Sequence, residues 1–142
     1  MTPVEFILNI LWLLLGGAVA AIGWFVAALL MAITIIGFPW AKAAFDNGVY
    51  TLWPFGARTV DDGRVYGDTI GGGPLGFLGN LIWFVLAGWW LALGHVVAAI
   101  GLAITIIGLP FAWAHLKLAG FSLWPIGRTI VSNDYRRYAG RY

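Results

Sequence analysis

Cysteine is absent from the 142 residues, so disulfides, thiolate metal sites and thiol nucleophiles are excluded together. Charge is nearly as scarce: eight cations and six carboxylates make 10% of the chain, against about a quarter in ordinary globular domains. No Asp, Glu, Lys or Arg occurs from Phe6 to Ala41, a run of 36 residues, nor from Thr69 to Leu116, a run of 48 whose only titratable side chains are His95 and His115. Each run exceeds the ~20 apolar residues that cross a hydrocarbon core. With a mean hydropathy of +0.88, the chain reads as an integral membrane protein and not as a soluble enzyme. Catalytic constellations are missing as well. There is no Ser/His/Asp set, no paired carboxylates and no phosphate loop, so neither an enzyme nor a cofactor is expected. The two histidines lie 20 apart with no carboxylate placed to join them, which argues against a metal site. Gly71 to Gly76 spells G-x-G-x-x-G, but no strand pattern precedes it and Pro74 interrupts it, so a dinucleotide fold is rejected.

What is present is a repeat. Sliding the sequence on itself by 71 residues lays Ile33-Thr34-Ile35-Ile36-Gly37-Phe38-Pro39 on Ile104-Thr105-Ile106-Ile107-Gly108-Leu109-Pro110. Asn9 then falls on Asn80, Trp12 on Trp83, Gly17 on Gly88, and Leu52-Trp53-Pro54 on Leu123-Trp124-Pro125, with 23 of 52 positions from Glu5 to Gly56 identical and no gap. A tandem duplication divides the chain into a first membrane repeat at 4–59, a Gly/Asp-rich linker at 60–74, a second repeat at 75–131 and a basic aromatic tail at 132–142.

Glycine and proline punctuate each copy into three helical pieces, in the first copy Val4 to Leu15, Ala18 to Ile36 and Trp40 to Leu52, with breaks at Gly16-Gly17 and at Gly37 and Pro39. The expected fold is all-α: a duplicated helical hairpin followed by an interfacial helix. Charge favours this topology. All eight cations share one side if the first two pieces go out and return and the third lies in the headgroup plane. The twelve-residue first piece rises only about 18 Å. The competing topology joins the first two pieces into one long tilted or kinked span and lets the third return. Both place the repeats the same way up, with the N- and C-termini in the cytoplasm. Trp40, Trp53, Trp113 and Trp124 would bracket the interfacial helices, and Trp89-Trp90 would mark the opposite interface at the hairpin turn.

The twin Ile-Gly-x-Pro elements (Ile36 to Pro39, Ile107 to Pro110), the Leu-Trp-Pro-x-Gly elements ending in Arg58 and Arg128, and Asn80-Leu81-Ile82-Trp83 with Gly88-Trp89-Trp90 resemble the YccF, or inner membrane component, domain family of bacteria. The resemblance covers about Val4 to Val131. It implies a small multi-pass protein of the bacterial inner membrane and supplies no biochemical activity.

Several residues merit functional weighing. Thr34 and Thr105 precede the breaks at Gly37, Pro39, Gly108 and Pro110, where unwound backbone could offer carbonyls to an ion; the plainer reading has each threonine bond back to its own helix. Asn9 and Asn80 must face protein or water, by interhelical hydrogen bonding or by lining a pore. His95, which replaces Trp24 of the first copy, offers a proton relay or a satisfied helix contact. His115 and Lys117 read as headgroup contacts. The tail's arginines and tyrosines read as lipid anchoring and not as nucleic-acid binding. The small-residue faces suit a homo-oligomeric pore or channel for ions or small solutes. The alternative is a non-conducting structural or accessory subunit that docks on a partner membrane protein.

Overall fold

The computed structural model describes residues 1–133, so the tail with Arg136, Arg137 and Arg141 lies outside the described residues. Helix α1 (Pro3–Trp12) opens on a capping box in which Thr2 Oγ accepts from the Glu5 amide and the Glu5 carboxylate accepts from Thr2, with Pro3 pre-set at the first turn. It does not stop at Gly16-Gly17. A π-turn over Leu13–Gly17 carries it into α2 (Ala18–Ile33), and Pro3 to Ile33 forms one apolar helical run of 31 residues. The expected hairpin turn here is thus corrected to a kink, at which Leu15 and Gly16 leave helical dihedrals and Gly16 reaches φ +120°. Glycine is needed next door for another reason: a Cβ on Gly17 would collide with the Trp12 indole, which lies along the helix.

The reversal comes instead at Thr34–Gly37, after which α3 (Phe38–Leu52) returns against α2, and a Cβ on Gly48 would meet the Phe25 ring. α3 is therefore a packed return helix and not a separate helix in the headgroup plane. The chain then enters strand β1 (Ala57–Asp61), the short helix α4 (Gly63–Tyr66) and a 3-10 turn at Ile70–Gly72. The second copy repeats the plan with α5 (Pro74–Trp83), a π-turn over Phe84–Gly88, α6 (Trp89–Ala103), α7 (Leu109–Leu123) and β2 (Arg128–Ser132). Its apolar run, Pro74 to Ala103, spans 30 residues. Trp89 and Trp90 lie in mid-run, so they mark no hairpin turn.

An all-α fold is corrected in one respect. β1 and β2 pair antiparallel, Ala57 opposite Ser132 and Asp61 opposite Arg128, so the strands that follow the two Trp-Pro-x-Gly elements join the copies. The copies also cross instead of standing side by side in register. Gly79 of α5 abuts Trp40, near the tip of the first hairpin, while Leu8 and Trp12 cluster with Leu102 and Phe111, near the tip of the second. The larger core gathers Trp24, Ala27, Ala28, Met31 and Ala44 around Trp83, Ala87 and Leu91. Small residues between large indoles allow this close approach.

Candidate functional site

Three sets of polar groups interrupt the apolar body. At the hairpin tips, Thr34 Oγ donates to the Met31 carbonyl at 3.0 Å and accepts from the Gly37 amide at 3.1 Å, and Thr105 repeats both bonds with Leu102 and Gly108 at 3.0 Å each. The threonine hydroxyls thus close their own turns. Gly37 and Gly108 have no room for a Cβ there, and Pro39 and Pro110 occupy first-turn positions of α3 and α7, where a missing amide costs nothing. The flanking side chains are bare aliphatics: Ile35 is 92% exposed and Ile106 87%.

Below the tips, buried amides and indoles tie each first helix to the end of its own repeat. Asn9 Nδ2 donates to the Phe55 carbonyl at 2.8 Å and Asn9 Oδ1 accepts from the Phe55 amide at 3.0 Å. Asn80 does the same with Ile126 at 2.8 and 2.9 Å. Trp12 Nε1 donates to Thr51 and Trp83 Nε1 to Ser122, both at 2.7 Å to the carbonyl oxygen. Sequence reasoning passed over Trp12, Thr51, Trp83 and Ser122. The signal that finds them is a spacing kept in both copies, 39 residues from indole to carbonyl and 46 from amide to backbone.

The third set breaks the symmetry. His95 on α6 and His115 on α7, 3% and 1% exposed, bring their Nδ1 atoms to 2.9 Å, so one imidazole donates to the other. His115 is thus a core residue and not the headgroup contact expected of it. Its ring packs on Trp12 at 4.4 Å between centroids. Among the described residues neither Nε2 has a hydrogen-bond partner, and a Cβ at Gly16 would sit 3.8 Å from His115 Nε2. The pair therefore faces the helix kink. A cavity of about 370 Å³ opens beside it, walled by Gly23, Trp90, Gly94 and Ala98. In the first copy the equivalent positions hold Trp24 and Ala44, and Trp24 stacks on Trp83 at 5.1 Å. A large ring and a methyl have been exchanged for two medium rings.

Of the charged groups, Lys42 pairs with Asp46 on the exposed face of α3, and others lie along the strand pair. Arg128 reaches Asp61 at 3.4 Å across the strand pair and also donates to Thr59, while Arg64 approaches Asp61 at 3.8 Å. Arg58 lies opposite Val131. Trp53 and Trp124 cap the C-terminal ends of α3 and α7 beside these strands, and Trp53 Nε1 points at the Met1 sulfur.

The chain matches the YccF family, described as the inner membrane component domain, twice, over residues 7–57 and 78–128. It is 35% identical over 128 residues to "Inner membrane protein YccF" of Escherichia coli (strain K12) and, at the same identity, to the protein of that name from Shigella flexneri, covering 89% of this chain and 86% of each relative. No solved structure matches. The two matched segments coincide with the crossed helical copies that the strand pair joins, and the chain belongs to the YccF inner membrane component family.

Proposed function

We propose that this inner membrane protein is a non-conducting structural or accessory subunit that docks on a partner membrane protein. The observation that carries this reading is where the polar groups point. Asn9, Asn80, Thr34, Thr105, Thr51 and Ser122 are engaged within the fold, while the outer faces of the long helices present Leu14, Val19, Ile22, Leu29, Val85, Leu93, Val97 and Ile100. A water-filled path assembled from several copies needs a polar stripe on such a face. An aliphatic face instead offers close packing to lipid or to another helix. The strand pair carries Arg58 toward one end and Arg128, with Arg64 beside it, at the other, and the positive-inside preference assigns the strand pair and the nearby N-terminus to the cytoplasm.

Purified protein in liposomes should pass no K⁺, Na⁺, Cl⁻ or H⁺ above empty vesicles, and mild-detergent purification from cells should return a complex of fixed stoichiometry with a second membrane protein. Flux proportional to the amount of protein would overturn the proposal. It would support the second reading, a homo-oligomeric pore, which one observation favours: the His95–His115 pair with both Nε2 atoms unpartnered beside the Gly16 kink.

A further inference from the structure

Between β1 and α7 lies a cavity of about 250 Å³, at the charged end of the molecule and apart from the histidine pair. Its polar wall holds Arg58, Thr59, Tyr50 and Lys117; its apolar wall includes Phe55 and Phe121. Among the described residues no Asp or Glu lines it. Arg58 Nε is buried and has no acceptor among the described residues. The reason lies in the strand register: Arg128 faces Asp61 across the pair, but Arg58 faces Val131 and gains no carboxylate among the described residues. Lys117 likewise makes no ion pair among the described residues, and Asp61 and Asp62 are held by Arg64, Arg128 and Thr129. A half-buried guanidinium with an unanswered N–H and an ammonium on the same small cavity are an acceptor's complement, since burying charge without a counter-ion is costly.

We infer that the Arg58–Lys117 cavity is a binding site for a phosphate anion, carried either by the headgroup of an anionic phospholipid or by free phosphate. A guanidinium fork fits two phosphate oxygens, the ammonium acts as a point charge, and the Thr59 and Tyr50 hydroxyls are of a type that donates to the remaining ones. The position suits a headgroup. Phe55 and Phe121 lead from the cations toward the apolar cores, so the glycerol and first acyl carbons find an apolar wall while the phosphate stays at the charged end.

Binding to the full chain in a neutral detergent tests this, with phosphatidylglycerol, phosphatidylcholine and inorganic phosphate as separate probes. Arg58→Gln and Lys117→Gln should each weaken the anionic probe about fivefold, and the double variant about 25-fold, as expected for the loss of one and two cations at a membrane surface. Arg64→Gln, which removes an exposed cation outside the cavity, should leave binding unchanged. Saturable phosphatidylglycerol binding with this pattern identifies the lipid headgroup as ligand; the same pattern with inorganic phosphate alone identifies a soluble anion. Absence of binding by both overturns the inference. So does phosphatidylcholine binding as tightly as phosphatidylglycerol, or Arg64→Gln costing as much as the cavity variants. Lys117 is exposed, so its variant keeps the test valid if Arg58→Gln fails to fold.

Discussion

At the residue scale the most consequential groups are the two buried asparagines. Each satisfies both the amide and the carbonyl of one backbone unit just beyond a Trp-Pro pair, at Phe55 and at Ile126. Replacing Asn80 by the near-isosteric leucine leaves both of those groups unpaired in a buried setting, and each orphaned group costs ~1–3 kcal/mol. Asn80→Leu should lower stability by about 2–4 kcal/mol in equilibrium unfolding from detergent micelles, and a loss below ~0.5 kcal/mol would refute the assignment. Gly16 makes a second case. At φ +120° a side chain is strained, so Gly16→Ala should cost about 1–3 kcal/mol by the same measurement.

At the element scale, the threonine-capped tips separate a structural from a conducting role. Removing the hydroxyls in a Thr34→Val, Thr105→Val variant deletes the two hydrogen bonds that close each tip, at a cost of about 1 kcal/mol per tip. The melting temperature should fall while liposome flux stays at the level of empty vesicles; a change in ion selectivity would contradict the cap assignment. These elements also show what the sequence revealed and what it hid. The duplication, the breaks at Gly37, Pro39, Gly108 and Pro110, and the apolar spans were legible because backbone chemistry and hydropathy are local. The pair Gly16-Gly17 reads as a stop in sequence, whereas the structure uses Gly16 for the positive φ of the kink and Gly17 to leave room for the Trp12 ring. The strand pair was hidden because its partners stand 67 to 75 residues apart and neither segment alternates strongly. His115 was misplaced for a related reason: its exposure depends on His95 across the helix pair and on Trp12 from the other copy.

For the whole molecule, the departure from symmetry is itself testable. His95 and His115 occupy the places that Trp24 and Ala44 fill in the first copy, so His95→Trp combined with His115→Ala rebuilds the first copy's pair in the second. His95→Trp alone should overpack the contact at a cost of ~1–3 kcal/mol, and His115→Ala alone should open a hole beneath Trp12. Together they should compensate, giving a stability within about 1 kcal/mol of the parent and a clear coupling in the double-mutant cycle. Purely additive losses would show that the two sites are packed differently.

The cross-copy strand pair has a bearing on ancestry and assembly. Had a single 71-residue unit once existed alone, its lone strand would have presented an open edge, and the matching edge of a sibling polypeptide would have been the natural cover. The present chain then corresponds to a fused pair of siblings whose tether follows β1. Severing that tether at Gly67, which has φ +74° and open space around it, should yield two fragments that copurify when made together. Either fragment produced alone should self-associate or be degraded.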